Sequence, residues 1–162
     1  MLKSFDLPAL PRRSVLRLAG LLGWPVWAGS QGMVAAVLPA AQSLREELAV
    51  ALKKKQPLVV MVSLEGCPYC RIARQSYLLP LHQNGLDIVQ LDMNSAQPLQ
   101  EFSGRTTTHG QWIRERQISV APTVLFFGPG GKEIAERLEG ASLPDFYGAY
   151  LEQRLEKARL AL

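Results

Sequence analysis

The sequence predicts an α/β fold with a mixed central sheet of about four strands flanked by helices on both faces. Three observations carry that expectation. Short apolar runs recur at Leu58–Val62, Leu86–Leu91 and Thr123–Phe127. Each is too short for a typical helix and suits a strand buried on both faces. Segments with helical spacing alternate with the early runs, as in a strand–helix–strand unit. The last run leads into Gly128-Pro129-Gly130-Gly131, a turn signal, and then Lys132–Arg137, which reads as a strand returning antiparallel.

The individual elements follow in order. Ser43-Leu44-Arg45-Glu46 is a capping box, in which the serine hydroxyl and the Glu46 carboxylate satisfy orphan amides at a helix start. Leu44, Leu48, Ala51 and Leu52 continue at helical spacing, and the helix is expected to end near Lys55, before Pro57. Lys53-Lys54-Lys55 at that end complements the helix dipole. Residues 70–79 read as a second helix whose end Pro80 disturbs. Asn84-Gly85 opens the second strand. Residues 92–107, rich in Ser, Asn, Gln, Gly and Thr, read as a long polar loop. Thr108-His109-Gly110-Gln111 offers another capping box for a short helix reaching about Gln117. A C-terminal amphipathic helix is expected to bury Leu143, Phe146, Tyr147, Tyr150, Leu151, Leu155 and Ala158.

With 162 residues, 48% of them hydrophobic, the chain holds one ordinary domain plus an extra segment and is too apolar to be disordered. The net charge of +4 is uneven: Lys3, Arg12, Arg13 and Arg17 face only Asp6 in the first forty residues, so the remainder is close to neutral. A near-neutral domain offers no electrostatic footprint for nucleic acid.

The extra segment is N-terminal. Pro11-Arg12-Arg13-Ser14-Val15-Leu16-Arg17 precedes an uncharged stretch from Leu18 to Leu44. A basic start, a short apolar middle and small residues after it describe an export signal. The paired arginines before Val-Leu-Arg resemble a bacterial twin-arginine signal, with the general secretory route as the alternative. Val26-Trp27-Ala28, Ala35-Ala36 and Ala40-Ala41 offer cleavage positions. The stretch is also long enough to cross a bilayer, for which about 20 residues suffice, so a retained anchor is the second possibility. The expected division is 1–41 for signal and leader and 42–162 for the folded domain, with the bacterial periplasm as the place of action.

The chemistry lies in the two cysteines. Cys67 stands where a buried strand ends and a helix begins, and Cys70 follows one turn later, with Pro68 where a helix start tolerates proline. The unpaired amides and the positive end of the helix dipole favour thiolate over thiol at Cys67. Cys67 can then attack a target disulfide, and Cys70 can resolve the mixed disulfide; the reverse order oxidises a dithiol. Three other uses of the pair stand beside this one. Zinc needs four ligands, and the chain has no third cysteine and only His82 and His109, so no metal residue is assigned. A structural disulfide across two residues closes too small a loop to stabilise much. Thiolate pairs also suit copper(I) delivery.

Gly66-Cys67-Pro68-Tyr69-Cys70 after a buried strand, Val120-Ala121-Pro122-Thr123 opening a later one, and Phe126-Phe127-Gly128-Pro129-Gly130-Gly131-Lys132-Glu133 as its hairpin resemble the thioredoxin superfamily over roughly residues 42–160. The resemblance implies a thioredoxin-like fold, a cis Pro122 facing the cysteines, and a substrate strand pairing with the Ala121 backbone. Its site residues are therefore Cys67 and Cys70 for catalysis and Pro68, Tyr69, Ala121 and Pro122 for substrate. It implies no cofactor beyond a redox-active Cys67–Cys70 disulfide. There are departures from the pattern. Met61 stands where thioredoxins keep a buried Asp, Gln75 where they kink the helix with proline, and Leu64-Glu65-Gly66 lacks the usual Trp; Glu65 is the nearer carboxylate. Cys-Pro-Tyr-Cys is itself the glutaredoxin dipeptide, without a glutaredoxin-like Gly-Gly after the last strand.

The export signal, the Cys-Pro-Tyr-Cys motif and the Thr-rich insertion look like the periplasmic SoxW-like thioredoxins. That likeness implies a monomeric reductant of periplasmic protein disulfides, recharged by a membrane thiol electron donor. The alternatives are a DsbA-like disulfide-forming oxidase, for which residues 92–117 are a short insertion, and a copper chaperone. Arg105, His109 and Trp112 are candidates to line the site from that insertion, His109 otherwise having a neutral surface role and Trp112 packing its helix on the sheet. Arg71 and Arg74 are candidates to add positive potential to the site, with solvated helix arginines as the default reading.

Overall fold

The computed structural model describes residues 37–141 and 144–162. The export signal, the twin-arginine motif, the earlier cleavage positions, the apolar stretch considered as an anchor and Leu143 lie outside the described residues.

Helix α1 (Leu44–Lys53) is capped by Ser43, whose Oγ accepts the Glu46 N–H at 3.3 Å. The reciprocal carboxylate belongs to Glu47 rather than Glu46. Glu47 Oε1 accepts the N–H groups of Gln42 at 2.9 Å and Ser43 at 3.4 Å, because the incoming chain turns its amides toward that side. Beyond the helix end, Lys54 pairs with Asp87 at 2.7 Å.

Strand β1 (Leu58–Ser63) is followed by α2 (Pro68–Ile72), a π-helical turn over Ala73–Leu78, and α3 (Leu79–Gln83). Pro80 therefore does not end the helix. A proline ring clashes with the carbonyl four residues back, and the wider π turn ahead of it relieves that clash. Strand β2 (Ile88–Asp92) comes next. The expected loop over 92–107 instead contains a small hairpin, β3 (Pro98–Gln100) with β4 (Thr106–Thr108), paired antiparallel. Helix α4 (His109–Glu115), strand β5 (Thr123–Gly128), strand β6 (Lys132–Glu139) and helix α5 (Pro144–Leu160) complete the chain.

The main sheet runs in the order β2-β1-β5-β6. β1 pairs parallel with β2 and antiparallel with β5, and β5 pairs antiparallel with β6. Every residue of β1 and β5 is buried, so these two central strands feed a core on each face. On one side Val59, Met61 and Phe126 pack with Cys70, Leu78, Tyr147 and Leu151. On the other Val60, Val62 and Phe127 pack with Leu44, Leu48, Trp112 and Ile113. Gly131, at φ 70° in the β5–β6 turn, lies so close to the Phe102 ring that a Cβ there would collide with it.

The folded body begins earlier than residue 42. Leu38 and Ala41 are buried, and residues 39–41 extend the sheet beyond β2: Gln90 N–H donates to Pro39 at 2.8 Å and Ala41 N–H to Gln90 at 2.9 Å. Cleavage at Ala40-Ala41 would remove this pairing. In α5 the buried stripe is Tyr147, Leu151, Leu155 and Ala158, while Phe146 and Tyr150 face solvent. The sheet contacts only one narrow face of this helix.

Leu125 sits in the middle of β5 with no exposed surface. Leu125→Ala is expected to destabilise the protein by about 2–5 kcal/mol in denaturant unfolding, as large-to-small core changes do. Val50→Ala, on the open face of α1, should stay within about 0.5 kcal/mol of the parent.

Candidate active site

The site begins where β1 stops. A central strand hydrogen-bonded on both edges holds its C-terminal end rigidly, and four residues then carry the chain into α2. Gly66 takes φ 75°, a conformation that suits glycine. Cys67 is the N-cap of α2: its Sγ accepts the Cys70 N–H at 3.1 Å, with Pro68 in the first turn. Sulfur thus satisfies one of the amides that a helix start leaves orphaned. Both cysteines are free thiols; Cys67 is partly exposed and Cys70 has no exposed surface.

The loop before β5 supplies the opposite wall. The Ala121–Pro122 peptide bond is cis, and Cys67 Sγ lies 3.9 Å from the Ala121 carbonyl oxygen, a long S–H···O contact. Thr123 Oγ1 donates to the Val120 carbonyl at 2.8 Å, and the Pro122 carbonyl accepts the Gly140 N–H at 2.7 Å. Both bonds anchor this loop. Tyr69, Ile72 and Val120 present exposed apolar surface around the cysteines. Cys67, Cys70, Pro68, Tyr69, Ala121 and Pro122 are therefore brought to one end of the sheet.

The thioredoxin-like domain family matches residues 44–155. The chain belongs to that family. Among solved structures, the reduced thioredoxin pre-protein of Schistosoma mansoni is similar with a TM-score of 0.50 and 17% identity, covering 75% of this chain and 97% of that one. Mitochondrial thioredoxin 3 of Saccharomyces cerevisiae gives 0.49 and 19%, covering 74% and 93%. Thioredoxin O2 of Arabidopsis thaliana gives 0.49 and 18%, covering 74% and 96%. No curated protein matches the chain.

Beside Cys67 this thioredoxin-like protein has an open cleft of about 410 Å³, on the β2 side of β1 and away from Pro122. Ser63, Glu65, Arg71, Arg74, Gln90 and Asp92 line it. Met61 is fully buried one step further in, and Glu65 is exposed at the rim. Arg74 is not a free surface arginine. Its Nε donates to Gln90 Oε1 at 2.7 Å and its Nη2 to Ser63 Oγ at 2.9 Å. The four-residue spacing from Cys70 signals a shared helix face, which identifies Arg74 as a sheet-facing group. Ser63 and Gln90 carried no comparable sequence signal.

The insertion residues do not reach the site. His109 is buried rather than at the surface: its Nε2 faces the Ala41 carbonyl at 2.8 Å and its Nδ1 faces the Asp92 N–H at 3.3 Å. The Asp92 amide can only donate, so Nδ1 accepts and the imidazole is the neutral tautomer with its proton on Nε2. Trp112 is buried edge-on to Phe127, centroids 6.1 Å apart, under the Arg116 guanidinium at 3.8 Å. Arg105 bridges Glu101 and Glu115. Among the described residues, no group of three or more His, Cys, Asp or Glu converges to hold a metal.

Burial pushes the Cys70 thiol up from 9.0 to about 11, helped by its hydrogen bond with Cys67. Tyr147, buried in the same core, is raised as well, chiefly by burial and then by its proximity to Cys70. A raised acid stays protonated in the folded state after the unfolded chain has ionised, so high pH favours unfolding. Cys70's contribution to stability is expected to be intact below about pH 9 and to be lost as pH rises toward about 11. Subtracting the pH–stability curve of Cys70→Ala from that of the reduced parent isolates this fall.

Proposed function

We propose that this protein is an exported thiol–disulfide oxidoreductase that reduces disulfides of periplasmic proteins through Cys67 and Cys70. The observation that carries the reading is the placement of the partly exposed Cys67 sulfur at the cap of α2, with the buried Cys70 three residues behind it. The Cys67 thiolate attacks one sulfur of a substrate disulfide and releases the other as a thiol. Cys70 then gives up its proton and displaces the substrate sulfur from Cys67, leaving the substrate reduced and Cys67–Cys70 oxidised. Two electrons and two protons pass to the substrate. A membrane thiol donor returns them, and no cofactor is required.

Substrate docks as an extended segment along the Ala121 backbone, the mode in which a strand is added to an open edge. Pro68 and Pro122 shape the two sides of the reactive sulfur, and Tyr69 contributes an exposed aromatic ring. The SoxW-like resemblance supports the reductive direction. Export by the twin-arginine or the general secretory route follows from the N-terminal pattern, and the protein works as a monomer.

Cys70→Ser is expected to accumulate stable mixed disulfides through Cys67 with periplasmic proteins and to lose insulin-reducing activity. Cys67→Ser is expected to trap nothing. Non-reducing electrophoresis after alkylation reads both, and trapping by Cys67→Ser alone would reverse the assigned roles. A reduction potential near −270 mV suits a reductant, whereas one near −120 mV would make the protein an oxidant.

A further inference from the structure

Tyr69, Ile72 and Val120 give the site an exposed apolar surface, but the cleft beside Cys67 is of another kind. Charges of both signs line it: Arg71 from α2, Arg74 from the π turn, Glu65 from the β1–α2 turn and Asp92 from the end of β2. The ion pairs among the described residues include none of these side chains. Opposite charges that share a cleft without pairing suit a ligand that carries both signs. Two of them are also held in place. Arg74 donates from Nε to Gln90 Oε1 at 2.7 Å and from Nη2 to Ser63 Oγ at 2.9 Å. Both acceptors are neutral, so its charge is not cancelled, and a guanidinium has further N–H groups that suit a carboxylate. Asp92 Oδ1 accepts the Asn94 N–H at 3.0 Å. The cleft holds about 410 Å³, within the roughly 300–1,000 Å³ of small-molecule sites. Gly66 lines it without a side chain, and even a Cβ there would meet no atom within 4 Å, so the rim next to Cys67 is unobstructed.

We propose that this cleft is a subsite for an amino-acid head group, its α-carboxylate against Arg74 and Arg71 and its α-ammonium against Asp92 and Glu65, and that the protein reduces small disulfides of the cystine type. This deepens the oxidoreductase reading above and rests on the same cysteine pair. An internal cysteine of a polypeptide has both α groups locked in peptide bonds, so it cannot satisfy both sets of charges. A free amino-acid thiol can. The Cys67 thiolate bonds to the sulfur of the half-cystine seated in the cleft. The cystine S–S bond breaks, and the other half leaves as a thiolate that takes a proton from water. The Cys70 S–H bond then breaks, its proton going to water, and its sulfur bonds to Cys67 Sγ. The bond from Cys67 to the seated half breaks with its electron pair on the ligand sulfur, which is protonated in turn. One cystine becomes two cysteines, and the protein dithiol becomes a disulfide that the membrane thiol donor reduces again.

The test mixes the reduced protein with cystine, cystamine, dithiodipropionate or hydroxyethyl disulfide, which carry both head groups, the ammonium alone, the carboxylate alone or neither. Alkylation and mass spectrometry follow oxidation of the protein. Each rate is divided by that of the same disulfide with dithiothreitol, which removes its intrinsic reactivity. The normalised rate for cystine is expected to exceed that for hydroxyethyl disulfide by about tenfold, the scale of one charge-assisted hydrogen bond. The two single-headed disulfides should fall between. Arg74→Met and Asp92→Asn should each bring the cystine-to-hydroxyethyl ratio down toward one. Thermal unfolding checks that the variants are folded, and Asp92→Asn reports by itself where Arg74→Met is not. A ratio near one in the parent, or a ratio that the folded variants leave unchanged, overturns the subsite. A normalised rate for dithiodipropionate equal to that for cystine also overturns it, since the carboxylate alone would then suffice. Oxidation by none of these disulfides sinks the oxidoreductase reading and the subsite with it, whereas oxidation by hydroxyethyl disulfide without a preference for cystine sinks the subsite alone.

Discussion

The hydrogen bond from the Cys70 amide to the Cys67 sulfur joins the fold to the chemistry. A helix start needs a side-chain acceptor for its orphan amides, a place usually taken by Ser, Thr, Asp or Asn. Here a sulfur takes it, so the atom proposed as the nucleophile is also the cap of its own helix. Its position follows from β1, buried throughout and paired on both edges, and from Gly66, which lets the chain turn within four residues. Loosening the centre of the sheet would therefore displace the sulfur. Ala121 depends on the same arrangement from the other side, because β5 pairs directly with β1.

The elements most legible in the sequence were those whose burial is uniform. β1 and β5 are continuous apolar runs because both faces of each strand are covered, and the cysteine spacing after β1 marks the helix start. The hairpin over 98–108 was not legible. Its strands have three residues each, mostly Thr and Gln, and they pair locally without a large apolar face. His109 was hidden for a different reason. Its partners are a carbonyl 68 residues earlier and an amide 17 residues earlier, so nothing in its neighbourhood signals burial. Phe146 and Tyr150 misled in the opposite sense: hydrophobicity placed them in the α5 stripe, but the sheet covers a narrower arc than the sequence offers.

Arg74 shows how helix geometry changes the meaning of a charged residue. On a helix alone in water an arginine is solvated and contributes little. α2 lies against the end of the sheet, and Arg74 falls on the face that carries Cys70. The π turn that starts at Ala73 widens the helix there, a distortion often found near functional sites. The guanidinium reaches Ser63 and Gln90 on two adjacent strands and ties the helix to both.

Gln90 extends this linkage to the edge of the sheet. Its side chain holds Arg74, while its backbone pairs with Pro39 and Ala41. Ala41 in turn accepts from the His109 ring. One residue of β2 thus connects the cleft beside Cys67 to residues 39–41. A backbone paired on both sides cannot shift without breaking hydrogen bonds, so residues 39–41 stiffen the strand that orients Gln90. Residues 39–41 are in this sense part of the support of the site.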